Sequence, residues 1–201
     1  MTWREVRTDD LSVLWTVPRL VPGVASRKRR AMRRVVRLGV VTVLIVVTVT
    51  LQISIFSHFS LSGVVPDLAM LVVIATALVK GPDYAAAVGF TAGLVLDLAP
   101  PADHTAGRWA LSLLLVGYLI GLARGDTETT LLGTVFMVAA GSFIGTSVFA
   151  LTGLVLGEEG VSVSSVLDVV PRAIVYDVVM TPLVIPLVVL LMRRLEPADR
   201  W

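Results

Sequence analysis

Residues 38–56 read LGVVTVLIVVTVTLQISIF, nineteen residues without one charged side chain. A helix needs roughly 20 mostly apolar residues to cross about 30 Å of hydrocarbon. This run is therefore one full membrane span. Further apolar runs follow at 68–79, 84–96, 109–123, 129–157 and about 169–192, the last carrying Arg172 and Asp177. The expected fold is an all-α membrane protein, a six-helix transmembrane bundle.

Composition agrees. The chain has 201 residues, 56% hydrophobic and 16% charged, and its mean hydropathy is +0.87. Soluble domains average about 25% charged residues. The composition excludes a disordered chain, a disulfide scaffold and a nucleic-acid domain. There is no cysteine, which removes disulfides, thiolate metal sites and thiol catalysis. The two histidines, His58 and His104, lie in polar stretches.

Orientation follows from lysine and arginine, which favour cytoplasmic loops. Ten of the 17 precede the first span, ending with Arg33, Arg34 and Arg37. Six crossings then place Lys80, Arg124, Arg193, Arg194 and Arg200 on the same side, leaving only Arg108 and Arg172 outside. Both termini are expected in the cytoplasm and the protein in the cell inner (plasma) membrane. The second and third spans are short: thirteen residues give about 20 Å of helix. Two short true spans are preferred, joined by the polar turn Lys80-Gly81-Pro82-Asp83. A re-entrant hairpin is the alternative.

The organisation expected is a basic cytoplasmic arm at 1–34, a six-span domain at 35–195 and a tail at 196–201. The arm has prolines, scattered charge and no signal-peptide core. Met32 opens MRRVVRL directly before the first span and is a candidate start. Residues 27–37 hold seven cations, a topology anchor with affinity for anionic lipid.

Small residues recur at spacing four: Gly89/Gly93, Gly117/Gly121, Gly121/Gly125, Gly141/Gly145 and Gly153/Gly157. Lipid gives no hydrophobic drive for helix association, so close approach through small residues is how such helices pack. Gly141, Gly145, Gly153 and Gly157 on the long fifth span serve either internal packing or docking of another membrane protein.

Ionisable groups inside the membrane are costly, about 2.5–3.5 kcal/mol for an Asp at a helix centre. Asp67, Asp97, Arg108, Arg172 and Asp177 all fall toward the outer side in this topology. They form either structural links, such as Asp97 to Arg108 across APPADHTAG, or an outer polar pocket for a ligand. Arg172 is five residues from Asp177, about 140° round the helix, which makes their pairing awkward. Pro182 removes the backbone donor that would pair with the Val178 carbonyl. No cofactor, metal or catalytic constellation is expected, because no His pair, G-x-S-x-G or P-loop is present.

These residues carry a resemblance. The stretches VVPDLAMLVVIATALVKG, AVGFTAGLVLDLAPPADHTAGRWALSLLLVGYLIGL and VVPRAIVYDVVMTPLVIPLVVLLMRRL resemble the rod shape-determining protein MreD family, in the manner of its actinobacterial members. The match rests on Pro66-Asp67, Gly89, Gly93, Asp97, Gly107, Gly117-Tyr118, Gly121, Tyr176, Pro182 and Pro186. The family pattern has Asn where this chain has Asp177. The resemblance implies a non-catalytic membrane scaffold of bacterial elongation, supporting lateral peptidoglycan synthesis and rod shape. It implies an MreC-like partner and, through it, MreB, RodA and a class B penicillin-binding protein. A fold relation to substrate-binding subunits of energy-coupling-factor transporters makes a transporter-like pocket the alternative. The sequence leaves self-association open.

Overall fold

The computed structural model describes residues 39–52, 54, 65–100, 104–125, 130–158 and 160–194. The expected arm, Met32, His58 and the tail lie outside them. The chain divides into two units, Met1–Gly39 and Val40–Trp201. The second holds the helices described here, apart from the first residue of α1.

Among the described residues the structure is six helices and no strand. They are α1 (Gly39–Gln52), α2 (Leu68–Lys80), α3 (Pro82–Leu98), α4 (Arg108–Ala123), α5 (Leu131–Leu156) and α6 (Val163–Arg194). Among the described residues, α5 and α6, with 26 and 32 residues, are long and apolar enough on their own to cross a membrane. α6 starts six residues before the expected 169, because Ser162 takes backbone and hydroxyl bonds from Ser165 at its first turn. It continues through Pro171, Pro182 and Pro186.

The short α2 is the axis of the bundle. Every residue from Leu68 to Ala77 is buried. A helix apolar on all faces belongs inside a core. α2 packs against α3, α4, α5 and α6, and Gln52 at the end of α1 reaches its first turn. Its shortness is therefore no mismatch with lipid along those ten residues, because protein covers them.

α3 and α4 form the closest helix pair, antiparallel, and glycine makes it possible. A Cβ on Gly89 would strike the Leu113 carbonyl, and one on Gly93 the Ala110 backbone. On Gly117 it would strike the Ala85 carbonyl, and on Gly121 the Pro82 backbone. Two spacing-four glycine pairs, one on each helix, thus interlock along a single seam. Gly141 and Gly145 of α5 face inward as well: added carbons would lie 2.7 Å from Ile74 Cδ1 and 2.6 Å from Met70 Cε. Gly157 has a different task. It ends α5 in the left-handed region at φ 68°, with open space where a side chain would be.

Candidate functional site

The buried ionisable residues gather at two helix N-termini. A helix starts with N–H groups that have no partner within the helix. Water caps them at a surface, but a buried end needs side-chain acceptors. Asp67, Asp97, Arg108 and Asp177 are all under a tenth exposed.

At the start of α4, the acceptor comes from α3. Asp97 Oδ2 accepts from the Gly107 N–H at 2.8 Å and from the Ala110 N–H at 3.0 Å. Its Oδ1 accepts from the Trp109 N–H at 3.1 Å. Gly107 caps α4 at φ 101°, a left-handed turn that suits glycine. The carboxylate also sits where the helix dipole favours negative charge. The His104 ring lies 3.7 Å from Asp97.

Arg108 turns away from Asp97, contrary to the expected bridge. Three amides already satisfy the carboxylate, and the guanidinium has its own set of acceptors on α5. It pairs with Glu158, donates to the Phe149 carbonyl at 2.6 Å and lies 3.9 Å above the Phe149 ring. Glu158 accepts the Thr105 N–H at 2.6 Å with its other oxygen. That amide bond, with the Arg108 charge behind it, holds the Glu158 carboxyl below its usual value. The Phe149 ring stacks on Trp109 at 4.3 Å. Gly153 makes room for the cation, since a Cβ there would lie 2.9 Å from Arg108 Cζ. Beside this cluster is a cleft of about 230 Å³, walled by Arg108, Phe149 and Ala150 on one side and Ser165, Val166 and Val170 on the other.

At the start of α2, the acceptors come from α1, from α6 and from Asp67, its own N-cap. Asp177 Oδ1, from α6, accepts the Asp67 N–H at 2.8 Å. Gln52 Oε1, from α1, accepts the Ala69 N–H at 3.0 Å. Asp67 Oδ1 itself accepts the Met70 N–H at 3.0 Å. Asp177 Oδ2 accepts the Ser142 hydroxyl of α5 at 2.6 Å, and the Thr181 hydroxyl donates to the Asp177 carbonyl. Asp67 Oδ2 is buried without a hydrogen-bond partner.

The five expected residues therefore do not form one cluster. Asp97 and Arg108 sit at the α4 end, and Asp67 and Asp177 at the α2 end. Arg172 belongs to neither. It is exposed on α6 with no partner among the described residues, because five residues of helix carry it to another face from Asp177. Of the other motif positions, Pro66 is buried ahead of Asp67, Tyr176 is half-buried, and Tyr118, Pro182 and Pro186 are exposed. Sequence reasoning missed Gln52, Ser142, Phe149 and Glu158. Gln52 carried a signal, as the one amide in an apolar run, and so did Glu158, an acid beyond the fifth span on the side of Arg108. Ser142 and Phe149 carried none.

The chemistry of both groups is that of capping, with carboxylates bound to amides and hydroxyls. Among the described residues, no three His, Cys, Asp or Glu are placed to hold a metal.

A family model described as rod shape-determining protein MreD matches residues 32–195, most of the chain. No curated protein and no solved structure matches.

Proposed function

Because the chain belongs to the rod shape-determining protein MreD family, we propose that it is a non-catalytic scaffold of the bacterial elongation machinery. In this reading it supports lateral peptidoglycan synthesis. Family membership ties it to rod shape determination in a membrane setting, and that match carries the proposal. Asp67, Asp97 and Asp177 spend their carboxylates on helix amides and a hydroxyl, bonds that a structural role requires.

The topology proposed is six spans in the inner membrane, with the arm of residues 1–34 and the tail of residues 196–201 in the cytoplasm. Its support is the placement of Lys80, Arg124, Arg193 and Arg194 at helix ends that the antiparallel order brings to one side. The partner proposed is an MreC-like membrane protein, linking the chain to MreB, RodA and a class B penicillin-binding protein. The transporter-like pocket is the alternative; what weighs against it is that Asp67 and Asp177 share no hydrogen bond or ion pair with Asp97 and Arg108 among the described residues. The inward glycines Gly141 and Gly145 belong to internal packing, which leaves docking to larger outward side chains.

Affinity-tagged full-length chain, extracted from native membranes in mild detergent, tests the proposal. An MreC-like protein is expected to co-purify in near-stoichiometric amount. Its absence, under conditions that keep other complexes of these membranes intact, would overturn the reading.

A further inference from the structure

At the bundle end opposite the two capped N-termini, α5 and α6 part and leave a groove of about 460 Å³. Its walls include Leu78 from the last turn of α2, Val135 from α5, and Val178, Pro182 and Val189 from α6, with Arg193 at one end. The walls are mainly apolar, since the hydroxyls of Thr134 and Thr181 in the lining are bonded to carbonyls of their own helices, and Pro182 adds a ring with no N–H to satisfy. Arg193 is exposed and, like its neighbour Arg194, has no hydrogen bond or ion pair among the described residues. A charge at one end of an apolar slot is complementary to one kind of molecule. We propose that this groove holds an acyl chain of an anionic phospholipid, with the lipid phosphate on Arg193.

Size and charge support that occupant over a partner's helix. The volume is within the roughly 300–1,000 Å³ of ligand clefts. A helix about 10 Å across would fill it in about one turn, whereas a single hydrocarbon chain is less than half as wide and extends along the slot. Basic pockets between transmembrane helices on the cytoplasmic side are known hosts of anionic headgroups. Burying methylenes then adds affinity along the chain. The choice of leaflet rests on the topology proposed above, but the site itself does not.

Native mass spectrometry of the full chain tests the proposal, with phosphatidylglycerol and phosphatidylcholine of matched acyl chains added in mild detergent. Wild type is expected to retain phosphatidylglycerol about fivefold better, the scale of one cation near an anionic surface. Arg193→Gln is expected to bring the two lipids to near parity. Val135→Trp, which fills the slot, is expected to lower retention of both lipids with the melting temperature kept. Val189→Trp serves the same end should the first variant fail to fold. Equal retention of the two lipids by wild type overturns the proposal. So does wild-type retention in both tryptophan variants. A photo-reactive residue at position 135 in native membranes adds a further arm: a lipid adduct supports the proposal, and an adduct to a protein helix overturns it. Single-cysteine labelling at position 194 reads orientation separately. Labelling from outside overturns the topology alone and leaves the lipid assay to judge the groove.

Discussion

Two aspartates do similar work here with different tolerance. Asp97 presents both oxygens to amide donors, two on Oδ2 and one on Oδ1. Asparagine would turn one oxygen into an NH2 group facing a donor. Asp97→Asn is therefore expected to destabilise by about 1–3 kcal/mol, the cost of stranding a buried amide. Asp177 faces one amide and one hydroxyl, and a hydroxyl can rotate to accept. Asp177→Asn is expected to cost under about 1 kcal/mol, while Asp177→Leu leaves the Asp67 amide bare and costs about 1–3 kcal/mol. Thermal unfolding of the purified variants in one detergent checks the order; equal losses for Asp97→Asn and Asp177→Asn would refute it. The tolerance at Asp177 was legible through the Asn of the family pattern, but the intolerance at Asp97 was not, because what separates the two is the chemistry of partners that lie up to 110 residues away. Arg108 shows the same limit: its nearest acid in sequence order is Asp103 or Asp97, yet it pairs with Glu158, 50 residues on.

Among the elements, the α3–α4 seam and the α5–α2 contact differ in what a methyl group would meet. Gly93 and Gly121 face backbone, which cannot step aside, whereas Gly145 faces the end of the flexible Met70 side chain. Gly93→Ala or Gly121→Ala is expected to cost about 1–3 kcal/mol by overpacking. Gly145→Ala is expected to cost distinctly less, because a methionine adapts. Melting curves of the three variants decide it, and a reversed order would count against the seam. The link from the α3–α4 loop to α5 carries a pH signature. Glu158 has its folded pKa below the ordinary 4.5. Its contribution is thus complete above the ordinary value and fades as pH falls from 4.5 toward the lower folded value. Wild type is expected to melt above Glu158→Gln at neutral pH, with the gap narrowing as pH falls below 4.5. A gap that widens as pH falls would contradict the pairing.

For the whole molecule, helix order and the long apolar runs were readable from charge-free length alone, since a span announces itself locally. What length left open was α2. A run of 13 residues looks too short for a bilayer when each helix is judged against lipid. Its surroundings are other helices, and a helix apolar on all faces reads the same against lipid as against protein. Topology has a clean test because the chain holds no cysteine, so introduced thiols report without background. Cysteines at Lys80, Arg124 and Arg194 are expected to react with an impermeant maleimide only after the cytoplasmic face is opened, and cysteines at Thr105 and Gly160 in intact spheroplasts. A reversed or mixed pattern would refute the six-span order.

The capping of α2 by Asp177 also sets a timetable. Ribosomes deliver α2 before α6, so the Asp67 amide waits 110 residues for its acceptor, whereas the Ala69 and Met70 amides find Gln52 and Asp67 already made. Until then one amide at the start of the central helix lacks the acceptor it has in the finished fold. Asp177 is thus the group that completes the cap, and a chain cut short before it is expected to lose the tie from α6 to α2 and α5 even with every earlier segment in place.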